Sequence, residues 1–408
     1  MFVEAPARVS HLAVYVGHDA SRAHKLVEAF CARFGVAPPS PGAQHFVHDF
    51  GHVRLRWERH TEFCTCTFVE NGPADGDPFG KPAVRHAPND WLELLSGSVL
   101  AACHIAVERG EPLDFRDERL KRLFPAPPLV GSRISNGGEV WTDFQIGPDG
   151  YSRILLRDIG LQENQAGRMV QRLCELETYR IMALLALPVA RESTQALGAM
   201  EGELTELSAT MVQPERSVSD GTLLARLSAL AARVEALSLR TNYRFSAGQA
   251  YYRLVRARVA DLRESRIEGI PTIDEFMERR LAPAMETCAS AAVRQETLAT
   301  KVARTNDLLR TGVSLAQERH NQEILEQMNR NAQLQLRLQH AVEGLSVVAI
   351  TYYVLGLTGY LLKAGKGMGL PLNVDAALGL MMPLACGLTW FGIRRMKHRI
   401  AKDGGSHA

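Results

Sequence analysis

The chain has little of what usually announces a chemistry. Its seven cysteines include no C-x-x-C pair, and there is no G-x-x-x-x-G-K-[ST] phosphate loop, no dinucleotide glycine fingerprint and no G-x-S-x-G elbow. Cys31, Cys64, Cys66, Cys103, Cys174, Cys288 and Cys386 are scattered and odd in number. That pattern argues against a disulfide framework and fits a reducing compartment. Net charge is nearly absent too: 47 Lys+Arg against 45 Asp+Glu leave +2 over 408 residues. Without a global basic field no nucleic-acid partner is expected. The first 25 residues lack the basic start and long apolar core of a secretion signal, so the bulk of the chain is expected in the cytoplasm.

The most informative absence is local. Residues 344–362 (GLSVVAITYYVLGLTGYLL) and 376–393 (AALGLMMPLACGLTWFGI) contain no Asp, Glu, Lys or Arg over 19 and 18 positions. At 1.5 Å per residue each helix would be roughly 27–29 Å long, close to the hydrocarbon thickness of a bilayer. The spacing predicts a transmembrane hairpin closed by a 13-residue, glycine-rich linker, residues 363–375. Arg394, Arg395, Lys397, Arg399 and Lys402 follow the second window, so the tail at 394–408 is expected in the cytoplasm, and with it everything before residue 344. The expected location is the bacterial inner membrane, multi-pass, with the bilayer as a partner. The competing reading, two buried core helices, would need chain to wrap them, and little follows residue 343.

What is present elsewhere predicts an α+β protein. Residues 1–160 alternate strand-like runs with turns and a few helices, as a mixed α/β domain does. Strands are expected at 11–16, 45–50, 53–58, 61–69, 98–107, 139–146 and 151–156, with a helix over 21–34. Gly147-Pro148-Asp149-Gly150 reads as a hairpin turn, and Ser135-Asn136-Gly137-Gly138 as a turn between strands. Over residues 161–343 proline is sparse and apolar residues recur at helical spacing. Leu223, Leu227, Leu230, Val234, Leu237 and Tyr243 form a stripe on a helix over 219–267, which Gly269-Ile270-Pro271 ends and after which Thr272 caps the next segment. A last helix from about 284 runs into the first uncharged window as a stalk. Its many amides, Asn306, Asn321, Asn329, Asn331 and the run 333–339, imply support from neighbours, either within the chain or in a homo-oligomer.

Candidate chemistry sits in the first 105 residues, which hold nine of the thirteen histidines. Arg56, Glu58, His60 and Glu62 alternate, so on a strand they share one charged face opposite Leu55 and Trp57. Such a face is an ion-pair surface or a site for a ligand or partner. His45, His48, His52 and His60 with Cys64 and Cys66 suggest a metal site only on paper, since no helical H-x-x-x-H anchors them; whether a metal binds stays open. In the first window Gly344, Thr351 and Thr358 are spaced by sevens and, with Gly356 and Gly359, either line a pore or let helices approach closely.

Four segments, residues 55–63 (LRWERHTEF), 143–158 (DFQIGPDGYSRILLRD), 165–192 (QAGRMVQRLCELETYRIMALLALPVARE) and 342–357 (VEGLSVVAITYYVLGL), resemble an uncharacterised family of predicted membrane-anchored bacterial proteins, domain of unknown function thirty-four twenty-two. The resemblance implies a membrane anchor and brings no activity. In layout alone the chain is similar to CorA-type magnesium channels, which carry a Gly-Met-Asn signature outside the first membrane helix. Here Gly367-Met368-Gly369 stands nearby, with glycine in place of the asparagine that meets the hydrated ion. The readings in order are an anchored scaffold or sensor, an oligomeric divalent-cation (magnesium) channel, and an anchored enzyme. The last would need a concave pocket in residues 1–160 with convergent polar groups.

Overall fold

A computed structural model describes residues 1–17, 19–72, 76–162, 164–213, 219–367 and 374–403, which divide into two compact units, Met1–Leu309 and Arg310–Ala408. The first unit carries β1 (Ala7–Tyr15), α1 (Ala20–Arg33), β2 (His45–Asp49), β3 (Arg54–Arg59), β4 (Phe63–Asn71), α2 (Asn89–Leu94), β5 (Val99–Arg109), α3 (Glu118–Leu123), β6 (Val130–Ile134), β7 (Gly138–Ile146) and β8 (Ser152–Asp158). Long helices follow: α4 (Gln165–Leu184), α5 (Ala186–Val212) and α6 (Asp220–Leu262), then β9 (Glu264–Arg266), α7 (Ile273–Arg280) and α8 (Ala282–Gly367), of which the part to Leu309 belongs here. This is the expected mixed α+β architecture with long helices.

Among the described residues nine strands form one sheet in the order β2-β3-β4-β1-β5-β8-β7-β6-β9, in which β5 and β8 run parallel and the other neighbours antiparallel. Local chemistry fixes many of the boundaries. Asp19 caps α1 by accepting the amides of Ser21 and Arg22. Ser135 and Asn136 adopt φ of 49° and 57°, the left-handed residues of the three-residue loop 135–137 that joins β6 to β7, where Ile134 pairs with Gly138. Thr272 and Glu275 make a reciprocal capping box at the start of α7.

Each face of the sheet has its own core. Under α1 and α2 lie Leu12, Val14, Leu55, Trp57, Cys64, Cys66 and Phe68 with Phe30 and Trp91. Against the other face pack α4, α6, α7 and the start of α8, through a core that runs from Val3 and Val9 by Cys103 and Ile154 to Leu173, Val255 and Ala291. Packing therefore does not separate at residue 160, where the chain turns from strands to helices. Gly248 of α6 allows a close approach, because a Cβ there would lie 2.8 Å from that of Ala186.

Two details of α6 differ from expectation. Its buried stripe continues from Leu237 to Thr241, four residues on, while Tyr243 points outward. The helix also stops at Leu262, where Arg263 turns left-handed at φ 50°, and the next residues pair with β6 as β9. Neither β6 nor β9 was expected: β9 is three residues long, too short for periodicity to register, and β6 (VGSRI) has only Val130 and Ile134 as large apolar residues, with Gly131 and Ser132 between them.

The second unit holds the rest of α8 and α9 (Val374–Asp403). Thr351 Oγ1 and Thr389 Oγ1 are 3.0 Å apart, and Gly359 faces Leu378. The two contacts run in opposite senses along the helices, so α8 and α9 lie antiparallel. Thr351 and Gly359 thus lie where the two helices meet; Thr358 bonds its own helix at Val354 O, and among the described residues nothing beyond the helix's own backbone lies within 4 Å of a Cβ at Gly344 or Gly356. Among the described residues one helical stretch, within Ile273–Ala364, is long and apolar enough to cross a membrane by length and composition. The apolar part of α9, Leu378–Gly392, falls short of that length, so the second span is not carried at its expected extent. Met368 and Gly369 lie outside the described residues.

One buried ion pair ties the β3–β4 turn to α6. Glu62, 1% exposed, meets Arg244 at 2.7 Å and also bonds Tyr251. Arg244→Met leaves that carboxylate buried without its cation, and a loss of about 3–5 kcal/mol in unfolding free energy is expected. Adding Glu62→Gln should restore part of it. Equal stability of wild type and Arg244→Met in urea titration would show that the pair carries no such weight.

Candidate functional site

The register of the sheet places five side chains in a row on the face toward α4. Arg56 of β3 is opposite Thr67 of β4, Thr67 is opposite His11 of β1, His11 is opposite Cys103 of β5, and Cys103 is opposite Ser152 of β8. Because alternate residues share a face, all five point the same way. A buried polar group without a partner costs several times what a typical hydrogen bond contributes, so the row constrains whatever covers it.

α4 supplies the partners. Gln171 accepts from Arg56 at 2.9 Å, Thr178 meets His11 Nε2 at 2.9 Å, and Glu177 accepts from Ser152 Oγ at 2.9 Å. Cys174 is in hydrogen-bonding contact with both His11 and Cys103. His11 Nδ1 takes its second partner from Thr67 at 2.8 Å, so both ring nitrogens are bonded. Glu177 is in turn gripped by Arg180 through two bonds of 2.7 and 2.9 Å.

Outward from the row, charges alternate in a chain from the sheet to α6. Glu58 pairs with Arg56 at 2.7 Å, Arg56 bonds Gln171, Gln171 donates to Glu175 at 2.8 Å, Glu175 pairs with Arg258, and Arg258 bonds Asp261 at 2.9 Å. Between the strands and α4 this arrangement leaves a pocket of about 50 Å³, lined by His11, Glu58, His60, Cys174, Glu175 and Tyr179 among others. A wider cleft of about 650 Å³ shares Met1, Arg56, Glu58 and His60 with it.

Of the charged residues read from the sequence, Arg56, Glu58 and His60 come together here, and Glu62 does not. Residues 60–63 form the turn out of β3, which carries Glu62 away to Arg244. Burial holds His60 below its ordinary imidazole value, and burial raises Tyr179. At Cys174 burial pushes the thiol up. The hydrogen bond from Cys103 and the neighbouring imidazole outweigh it and bring Cys174 to about 6, while Cys103 is driven well above the usual thiol range.

Sequence reasoning missed His11, Thr67, Gln171, Cys174 and Thr178. Their signal was present: polar residues at every second position of buried strands, and at 171, 174/175 and 178 along one helical face. Cys64 and Cys66 share a face as expected, packed in the core beneath α1 where burial raises both. Among the described residues no group of three or more His, Cys, Asp and Glu could hold a metal ion.

A second cluster has the residue types of a nucleophilic triad. Ser10 Oγ is 2.9 Å from His104 Nδ1, and His104 Nε2 is 4.0 Å from Asp149. Ser10 Oγ also accepts from Val84 N at 3.1 Å, so the hydroxyl is engaged by both the backbone and the imidazole. Ser10 is wholly buried, and Tyr151 stacks on His104 at 3.9 Å. The trio ties β1, β5 and the turn at Ala83–His86 together and leaves no room for a substrate at the hydroxyl.

The sequence model of a family described as "Protein of unknown function (DUF3422)" matches residues 1–400. That match spans both units, and it leaves the layout similarity to CorA-type channels without support. No curated protein matches the sequence.

Burial lowers the His104 imidazole to about 4. Between pH 4 and the ordinary value near 6.5 the unfolded chain binds more protons, so stability is full above about 6.5 and falls as the pH drops toward 4. The contribution is about 3 kcal/mol. The wild-type urea midpoint should fall over this range more steeply than that of His104→Gln; parallel slopes would remove the assignment.

Proposed function

We propose that this chain, which belongs to the DUF3422 family, is a membrane-anchored scaffold or sensor whose input is a small polar species received in the cavity between β3, β1 and α4. The observation that carries the sensing part is the convergence of Arg56, Glu58, His60, Glu175 and Cys174 on one small space. Charges of both signs there are already paired across three elements, and such a site responds to a newcomer by re-pairing. A ligand that binds one pairing better than another shifts the position of α4 against the sheet.

For the anchor, residues 344–362 and 376–393 cross the bacterial inner membrane as a hairpin with both ends in the cytoplasm. Leu345, Val348, Tyr352, Tyr353, Leu357, Tyr360, Leu361, Leu380, Leu384 and Leu388 are large, apolar and exposed, and support this reading. Lipid is the solvent that makes such a surface favourable. The amide-rich stretch of α8 between 310 and 343 supports pairing with further copies, since in parallel helices whose anchors share a membrane Asn321 and Asn331 would each meet the same residue of the other copy.

Expression of the whole chain and of a version ending at residue 343 tests the anchor. The whole chain is expected in the membrane fraction after an alkaline carbonate wash and in solution only with detergent, the shortened one in the soluble fraction. Recovery of the whole chain as a soluble protein would overturn the proposal.

A further inference from the structure

The cavity is small, about 50 Å³. One water needs about 10–15 Å³ of such space, so the pocket takes a few waters or a molecule of comparably few heavy atoms. One of its walls is Cys174, and behind Cys174, in hydrogen-bonding contact, is Cys103 on β5. The two thiols belong to different elements, and α4 has no covalent tie to the sheet. His11 lies beside Cys174, with its ring fixed by Thr67 and Thr178.

We propose that Cys174 and Cys103 form a peroxide-reactive thiol pair: hydrogen peroxide entering the cavity oxidises Cys174, and Cys103 then closes a disulfide that staples α4 to β5. The inference rests on the reading of this cavity as the place where a small polar species is received, and names that species.

The chemistry balances without another reagent. The Cys174 sulfur attacks one peroxide oxygen; an S–O bond forms, the O–O bond breaks, and the departing hydroxide takes up the thiol proton to leave as water. Cys174 is then a sulfenic acid. The Cys103 sulfur attacks Cys174 Sγ; an S–S bond forms, the S–O bond breaks, and the second hydroxide leaves as water with the Cys103 proton. Two thiols are oxidised and one peroxide is reduced to two waters. His11, held by Thr67 and Thr178 and in contact with Cys174, orients the attacking thiol.

The asymmetry within the pair sets the order of events. Cys174 is the thiol that meets the cavity and is held below the ordinary thiol range by Cys103 and His11, while Cys103, held high behind it, is the resolving partner. Cys31, Cys64 and Cys66 lie in the core on the opposite face of the sheet and provide internal controls. Cys64 is pushed up to about 11 by burial.

The test is peptide mass spectrometry of the whole chain in detergent after brief exposure to hydrogen peroxide at neutral pH, followed by thiol alkylation. The expected result is a Cys103–Cys174 disulfide forming at least about tenfold faster than Cys31 or Cys64 is oxidised. In Cys103→Ser the reaction should stop at a sulfenic acid on Cys174, captured by dimedone. Oxidation of Cys174 no faster than that of Cys64 overturns the proposal. A parallel sample treated with methyl methanethiosulfonate separates the two ways of failing. If that reagent labels Cys174 ahead of Cys64 while peroxide does not, the cavity receives small molecules and the peroxide chemistry is wrong. If neither reagent favours Cys174, the cavity reading falls with it.

Discussion

A row of polar side chains, Arg56, Thr67, His11, Cys103 and Ser152, crosses five adjacent strands on the face that α4 covers. Water cannot reach most of it, so each group needs a partner from the helix above, and Gln171, Cys174, Thr178 and Glu177 provide them. Such matched pairs specify position more than they add stability, because the net gain from each hydrogen bond is about 1 kcal/mol while an orphaned partner costs more. Sliding α4 by one turn would leave the imidazole, the thiols and a carboxylate buried and unpaired. The register of α4 is thereby fixed. The cavity, the charge chain to Arg258 and the contact between the two thiols all follow from it.

The rest of the first unit is arranged around that constraint. α6 packs on α4 through an apolar stripe, pairs with α4 again through Arg258 and Glu175, and reaches the β3–β4 turn of the sheet through Arg244 and Glu62. The hairpin of α5 and α6 is laced on its outer side by Arg226, Arg233 and Arg240, spaced by sevens, meeting Glu206, Glu203 and Glu192. Those exposed pairs add little individually. Their regularity favours one register of the hairpin over others, which serves the same positioning role as the row beneath α4.

Much of this was legible in the sequence and some could not be. Seven strands were readable because each runs five residues or more with turn residues at its ends, as in the segment around Gly147-Pro148-Asp149-Gly150. The helical faces were readable too, to the point where a four-residue step from Leu237 lands on Thr241 and leaves Tyr243 outside. What a period cannot say is which helix covers which strand. The partnership of His11 with Thr178 joins residues 167 positions apart, and nothing local marks it. Glu62 shows the complementary limit: its place in the alternating run 56-58-60-62 is real, but the chain turns at His60, and the last carboxylate goes to another helix. The family resemblance was visible in four segments and is matched over residues 1–400, without adding a reaction.

The central claim is that α4 is part of the sheet's own core and not the first helix of a separate bundle. Native-state hydrogen exchange on residues 1–309 of the whole chain measures this directly. The account predicts that the amides of Gln165–Leu184 exchange with the same free energy, and the same denaturant dependence, as those of the central strands Ala7–Tyr15 and Val99–Arg109. Exchange of Gln165–Leu184 through an opening of much lower free energy, with the strands still protected, would contradict it.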